Sequence, residues 1–213
     1  VWGQGVILAE AENEFKTFIE KTGIPAAWTI LGVSAIETAH PLNVGMVGMH
    51  GNYGPNVLTN ECDLLIAMGM RFDDRVTGDL TRYAKQAKVI HFEIDPAEIN
   101  KNVMADVAIV GNIKNTLPKV IKKVRPKEHL KWLEKFNDHM NIEYEKVIKN
   151  DLYPSKEKLT MGEVVKEINE ASNGDAIIVT DVGQHQMVTC RYAKFNQSKS
   201  NITSGGLGTM GCA

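Results

Sequence analysis

Two arginines and two aspartates crowd the segment Gly69-Met70-Arg71-Phe72-Asp73-Asp74-Arg75-Val76-Thr77-Gly78, directly behind the apolar run Leu64-Leu65-Ile66-Ala67-Met68. The apolar run reads as a buried strand. A charged, glycine-bracketed loop at the carboxyl end of such a strand is where open α/β sheets hold ligands. A guanidinium offers a planar fork of donors that matches phosphate or carboxylate oxygens, so Arg71 and Arg75 suit a phosphate-bearing ligand. Asp73 and Asp74 can fix those forks or accept hydrogen bonds from ribose or ribityl hydroxyls. The competing reading is a solvated surface turn whose four charges answer one another.

Three further segments carry chemistry-bearing residues. Gly3-Gln4-Gly5-Val6-Ile7-Leu8 has the first two glycines of a dinucleotide fingerprint but Leu8 where the third would stand. Two glycines still permit a tight turn and close approach of backbone N–H groups to a phosphate, while the missing third argues against a standard NAD dehydrogenase. Asp181-Val182-Gly183-Gln184-His185-Gln186-Met187 follows an apolar run and opens a helical pattern, so its polar side chains can reach a ligand across a strand end; an ordinary strand-to-helix turn fits as well. Ser204 to Gly211 hold four glycines in eight residues, which suits either a backbone pressed against a planar or phosphorylated ligand or a plain flexible loop. His40, His50 and His91 lack metal-ligand spacing and read as hydrogen-bonded structural residues.

The elements that must position these groups alternate between the two periods. Val1-Trp2 reads as a strand end, and Ile7, Leu8, Ala11, Phe15, Phe18 and Ile19 predict one helix ending at Gly23. Strands are expected over 25–30, 62–68, 89–94 and 107–110, with helices over 53–61 and 115–123, where Pro118 falls in the first turns. Residues 40–54, rich in glycine and methionine, read as a flexible loop over a ligand. Such alternation predicts a parallel, doubly wound sheet whose strand ends share one crevice. A charged helical stretch with Leu130, Leu133, Phe136, Met140 and Tyr144 at spacings of three or four reads as a linker helix strapped along the outside. A second α/β unit then follows: a helix capped by Thr160, a strand over 176–179, a helix over 184–195 and a short strand at Ile202-Thr203. The expected organisation is a nucleotide-binding domain over 1–125, a linker over 126–155 and an incomplete second α/β unit over 156–213.

Bulk properties narrow the partners. The 213 residues carry 24 basic and 26 acidic side chains, a net charge of −2 that gives no electrostatic footprint for nucleic acid. Apolar residues make up 43% and charged residues 23%, an ordinary globular composition. No apolar run approaches the roughly 20 residues of a membrane helix, so a soluble chain with a small-molecule partner is expected. Three cysteines without CxxC spacing indicate neither a disulfide framework nor a zinc site, and reduced thiols in a cytoplasmic compartment are expected. The ends, Val1-Trp2 and Gly211-Cys212-Ala213, read as those of an internal fragment.

Taken in order, Gly48-Met49-His50-Gly51, the Gly69 to Gly78 block, His91-Phe92-Glu93-Ile94-Asp95-Pro96, Asp181 to Met187 and Ser204 to Gly211 resemble the large, catalytic subunit of the acetohydroxyacid synthase (acetolactate synthase) family. These thiamine-diphosphate enzymes belong to branched-chain amino-acid synthesis. The resemblance implies a Rossmann-like middle domain, a linker and the opening of a thiamine-diphosphate-binding domain, within a larger three-domain subunit. It implies that FAD lies against Gly3 and Gly5, Thr29, Ile30 and Leu31, and Gly48, Met49 and His50. Further flavin contacts implied are Gly69, Arg71, Asp73, Arg75 and Val76, then Glu93, Ile94 and Asp95, then Gly111 and Asn112. Gln186, Met187, Ser204, Gly205 and Gly206 would approach the flavin from the later domain.

Thiamine diphosphate would meet Val182, Gln184 and His185, with Gly208 and Met210 near its aminopyrimidine. Met49, Asp74 and Arg75 would line the substrate channel. The implied reaction decarboxylates pyruvate and joins the resulting two-carbon unit to a second 2-oxo acid. The cofactor acts as the electron sink, while protein groups orient it and exclude water. The resemblance further implies a homodimer or homotetramer, a regulatory small subunit and Mg2+. The activating glutamate, and the Gly-Asp-Gly…Asn motif that holds magnesium and diphosphate, have no match here, so no catalytic or metal-ligating residue is expected within these residues and the piece alone should be inactive. Val188 stands where the family usually has tryptophan. Two alternatives remain: another thiamine-diphosphate carboligase or decarboxylase of the same plan, and a non-catalytic nucleotide-binding module.

Overall fold

The computed structural model describes residues 1–155 and 159–213; the expected boundary between linker and second unit, at 156, lies outside the described residues. Trp2 is a one-residue strand. It bridges Trp28 on one side and Met68 on the other, both in parallel, and so joins two ladders into one sheet. On the first side lie β1 (Ala26–Trp28) and β2 (Asn43–Met46); on the second lie β3 (Leu64–Met68), β4 (Lys88–Glu93) and β5 (Val107–Val110). Counting Trp2 as the first strand, the spatial order is 3-2-1-4-5-6, the doubly wound arrangement of dinucleotide-binding sheets. The register runs from Leu64 opposite Lys88 to Met68 opposite Phe92 without a slip.

Both faces of the inner strands are covered, and β1 and β3 show it by being apolar throughout, whereas the edge strand β5 is largely exposed. On one face Trp2, Trp28, Met46, Met68 and Phe92 pack against α1 (Gln4–Leu8), α2 (Glu12–Thr22) and a helix over Ile113–Ile121. On the other, Leu65, Ala67 and Val89 meet Met70, Phe72 and Tyr83, while Ala27, Val44 and Val47 meet Leu58 and Phe136. Burying side chains of this size is worth about 1.5–3 kcal/mol each, which makes the strand interior the main source of stability.

Several expectations are corrected. The single helix expected from Ile7 to Gly23 is two: the chain breaks at Glu10, which takes φ +52, and Leu8 is left 72% exposed. Gly23 does end α2, in the left-handed region at φ +63. The loop expected over 40–54 contains β2, because Val44 and Met46 alternate inward while Asn43 and Gly45 do not, a period of two that the glycine content obscured. Ile94 lies outside β4 and is exposed.

Helix α3 (Tyr53–Thr59) leads to β3, and a one-turn helix, α4 (Asp74–Thr77), sits within the charged loop. The helix after β5 is α5 (Ile113–Ile121); it is capped by the Asn112 side chain, which accepts from the Lys114 amide, and it begins earlier than expected, so Pro118 falls in its interior rather than in its first turns. The strap is α6 (Leu130–Glu143), a π-helical turn over Tyr144–Ile148, and α7 (Lys149–Leu152). Its expected stripe is largely exposed at Leu130, Met140 and Tyr144; Phe136 and Glu143 are the buried members.

After the strap, α8 (Met161–Ser172) is capped by Thr160, whose hydroxyl accepts from the Glu163 amide at 3.1 Å. A second parallel pair, β6 (Ile178–Thr180) and β7 (Asn201–Thr203), flanks α9 (Gln184–Tyr192), which stops short of the expected Phe195. Val165, Cys190, Ala193 and Phe195 join Val33, Ala35 and Ile36 in the same buried cluster as Trp2 and Phe15. Among the described residues no helix is long and apolar enough to cross a membrane.

Candidate functional site

All six strands of the large sheet are parallel, so the segments that follow them gather at one end. Those segments are Gly3 to Gly5, Thr29 to Leu31, Gly48 to His50, Gly69 to Val76, Glu93 to Asp95, and Gly111 with Asn112. The order of connection reverses between Trp2 and β3, and there the first and fourth turns touch. The Gly3 amide donates to the Met68 carbonyl at 3.0 Å and the Gly5 amide to the Gly69 carbonyl at 2.9 Å. A Cβ on Gly5 would lie 2.6 Å from the Gly69 Cα, and one on Gly69, at φ +57, would lie 2.7 Å from the Gly5 Cα. These glycines therefore let two backbones press together at the switch point. The Gly5 N–H, read from sequence as available to a phosphate, is already spent on a protein carbonyl.

The charged loop is organised by its own side chains. Asp73 caps α4, accepting from the Arg75 amide at 3.0 Å, and its other oxygen meets the Arg71 guanidinium at 2.9 Å. Partial burial opposes the Asp73 charge, yet the Arg75 amide, the Asp74 carboxyl and the Arg71 guanidinium together hold it below the usual carboxylate range. Arg75 pairs with Asp74. Both arginines remain mostly exposed, and such pairs are worth about 0–1 kcal/mol, so the guanidinium forks stay available to an incoming anion.

His91, fully buried on β4, reaches 2.9 Å to the Met70 carbonyl and 3.9 Å to the Glu93 carboxylate, which sets Glu93 at the root of the charged loop. Glu93 accepts from the amides of Ile94 and Asp95, and Asp95 from that of Ala97. Arg71, Asp73 and Glu93 are thus brought to one end of the sheet, whereas the Ile94 side chain points into solvent.

Met49, Asp74 and Arg75 line one cleft of about 320 Å³, together with Gly48, Asn56 and Tyr83. The Met49 amide donates to the Arg75 carbonyl at 2.7 Å, and Gly48 takes φ +106 with its missing Cβ 2.7 Å from the same oxygen. Asn56 clamps Gly48 from α3, accepting from its amide at 2.8 Å and donating to its carbonyl at 2.9 Å. Met49 and His50 themselves are exposed.

In the second unit, Gln184 and His185 are exposed in the first turn of α9 and Val182 is half-buried just before it. Gln186 is buried and donates to the Thr203 hydroxyl at 2.6 Å, so it ties α9 to β7; Met187 is half-buried. The Asp181 carboxylate accepts from the amides of Gly211 at 2.6 Å, Val182 at 3.0 Å and Cys212 at 3.2 Å. Those amides hold its carboxyl below the ordinary value and fold the turn carrying Gly208 and Met210 back to the start of α9. Ser204 accepts from the amides of Gly208 and Thr209, and Gly206 is exposed. A Cβ on Gly205 would lie 2.5 Å from the Leu31 side chain, so the glycine-rich turn rests on the loop that follows β1.

Sequence reasoning missed four contributors here: Asn52 and Asn56, which fix the Gly48 turn, and Glu143 and Arg191, treated below. It also missed Ser34, buried in the loop after β1 at φ +74 with no partner for its hydroxyl among the described residues. Two asparagines four apart at a helix start were the available signal for the first pair.

Residues 1–120 match the family described as thiamine pyrophosphate enzyme, central domain, and residues 181–213 match the thiamine pyrophosphate enzyme, C-terminal TPP binding domain. The chain is 41% identical over 216 residues to a probable acetolactate synthase large subunit of Methanocaldococcus jannaschii, covering 98% of this chain and 36% of that protein. It is 38% identical to the acetolactate synthase large subunit of Lactococcus lactis and 37% identical to the isozyme 2 large subunit of Escherichia coli, over 98% of this chain and 36% and 37% of those proteins. The chain thus spans about 36% of the length of the curated relatives it matches. With its switch point, its sheet order and a central-domain match over more than half its length, the chain belongs to the thiamine pyrophosphate enzymes.

Proposed function

We propose that this chain is the FAD-holding middle part, the strap and the opening of the thiamine-diphosphate-binding part of an acetolactate synthase large subunit, divided near 125 and 156. The observation that carries the reading is the convergence of Arg71, Asp73 and Glu93 with the turns at Gly3, Thr29, Gly48 and Gly111 on one end of a switch-point sheet. The relatives' names support it.

The donor set fits a flavin dinucleotide. Arg71 and Arg75 supply exposed positive charge for a pyrophosphate, and Glu93 and Asp95 supply acceptors for hydroxyls. Gly111, at φ +143, leaves room for close approach. Val182, Gln184 and His185 would hold thiamine diphosphate from one side, with Gly208 and Met210 opposite. When bound, that cofactor supplies an electron sink for decarboxylation of a 2-oxo acid. The residues here orient and enclose: Met49, Asp74 and Arg75 form the wall past which a 2-oxo acid enters, and Arg75 can pair with its carboxylate. Among the described residues no cluster of three or more His, Cys, Asp or Glu could hold a metal ion, and no step is assigned to Mg2+. Assembly into a homodimer or homotetramer, a regulatory small subunit and a cytoplasmic location belong to the same proposal.

The test is to express the complete reading frame that contains this chain and supply pyruvate, thiamine diphosphate, Mg2+ and FAD. Acetolactate is the expected product, and Arg75→Ala should lower its formation about a hundredfold or more, the effect of removing a charged group that orients substrate. Release of free acetaldehyde without acetolactate would overturn the reading in favour of a decarboxylase. The 213-residue chain alone should form no acetolactate.

A further inference from the structure

Glu143 is a carboxylate buried at the end of α6, with its side chain only 4% exposed, where a strap helix would ordinarily present acids to water. One oxygen pairs with the Arg191 guanidinium of α9. The other accepts from the Tyr53 amide at 2.9 Å and the Asn52 side-chain amide at 3.3 Å, at the start of α3. From there the connection continues in hydrogen bonds. Asn52 exchanges bonds with Met46 at the end of β2, through its side-chain oxygen at 2.9 Å and its backbone amide at 2.8 Å. Asn56 clamps Gly48, and Met49 donates to the Arg75 carbonyl.

We infer that Glu143 is a positioning residue that sets the Gly48–Met49 turn, and through it the Arg75 end of the charged loop, relative to α9. The inference rests on the proposed reading for what those two segments hold, but not for the linkage itself. Three features carry it. The carboxylate bonds the start of α3 and α9 at once, whereas the Tyr192 hydroxyl of α9 reaches only the strap itself, at Asp151. The π-helical turn begins at the next residue, and such single turns within helices are frequent at functional sites. Among the described residues the Arg191 Nε is buried without a partner and Glu143 is the carboxylate that meets its guanidinium, so the two charges offset one another in this partly buried place. A shift of α9 on binding a ligand at its first turn would therefore be felt at Tyr53 and Gly48.

Hydrogen exchange on the protein expressed from the complete reading frame that contains this chain, without added cofactors, tests this. Arg191→Gln should speed exchange of the amides of Asn52, Tyr53 and Asn56 about a hundredfold, since breaking one side of a buried pair leaves Glu143 uncompensated. Arg191→Lys, a point charge without the fork, should give about a tenfold increase. In both variants the amides of Val89–Phe92 in β4 should speed up less than those of Asn52, Tyr53 and Asn56. Unchanged rates at those three amides, or equal acceleration in β4, would overturn the assignment. If Arg191→Gln does not fold, Arg191→Lys decides by the same comparison. Flavin fluorescence of the wild-type chain titrated with FAD reads the cofactor assignment separately, so its failure leaves the exchange result standing.

Discussion

The contact between the Gly5 and Gly69 turns can be tested by adding one methyl group. In Gly5→Ala the new Cβ would stand 2.6 Å from the Gly69 Cα, 2.8 Å from its oxygen and 3.1 Å from its carbonyl carbon, and all three are backbone atoms with no rotamer to give way. The turns must separate, which costs about 1–3 kcal/mol as overpacking. Separation also loses the Gly5 to Gly69 hydrogen bond, worth about 1 kcal/mol. Alanine's better helix propensity in α1 returns up to about 1 kcal/mol. The net is about 2 kcal/mol, or a fall in Tm of roughly 4–8 °C for a chain of this size. The assay is thermal unfolding followed by circular dichroism, with Gly206→Ala as control, since nothing lies within 4 Å of its added Cβ and Tm should stay put. If Gly5→Ala leaves Tm unchanged while abolishing flavin binding, the glycine serves a ligand and the backbone-contact argument fails.

Ser34→Gly should raise stability by about 0.5–1 kcal/mol, read as a higher Tm, because it removes both a side chain held at φ +74 and a buried hydroxyl without a partner among the described residues; a lower Tm would show that the hydroxyl is in use. Asp181 has its folded-state pKa depressed by the amides of Gly211, Cys212 and Val182. Its contribution is therefore complete above the ordinary value of 3.8 and lost as pH falls through the lower folded value, so the Gly211 amide resonance should move only at pH below 3.8. Native thiol titration should find Cys212 fast and Cys190 silent until unfolding. Burial raises the Cys190 thiol to about 12, and early labelling of Cys190 would refute its place in the core.

The inner strands were legible because both their faces are covered, so they announce themselves as unbroken apolar runs such as Leu64 to Met68. Trp2 was legible only as a strand end, since its single-residue bridges to Trp28 and Met68 depend on partners 26 and 66 residues away that local pattern does not encode. Strand β2 was hidden by composition. Gly45 at φ +109 is needed because a Cβ there would stand 2.6 Å from the Asn52 side-chain oxygen, and the glycine that permits the strand also disguises it as a loop.

The candidate site divides along the same physical line. The charged candidates Arg71, Asp73, Asp74 and Arg75 stand out in sequence because charges directly behind an apolar run are conspicuous wherever the chain folds. Groups that act through burial do not stand out. Asn-Ile-Glu-Tyr-Glu-Lys around Glu143 has the composition of a solvated helix, and nothing within it tells Glu143 from Glu145. What separates them is Arg191, 48 residues further on, and the Tyr53 amide, 90 residues back; without those donors the Glu143 carboxylate would have to stay in water. A buried acid is selected by its partners, so its role becomes readable only once the elements carrying them are docked. The same holds for the glycines at the switch point: their spacing resembles a phosphate loop, and only the opposing turn reveals that two backbones already press together there.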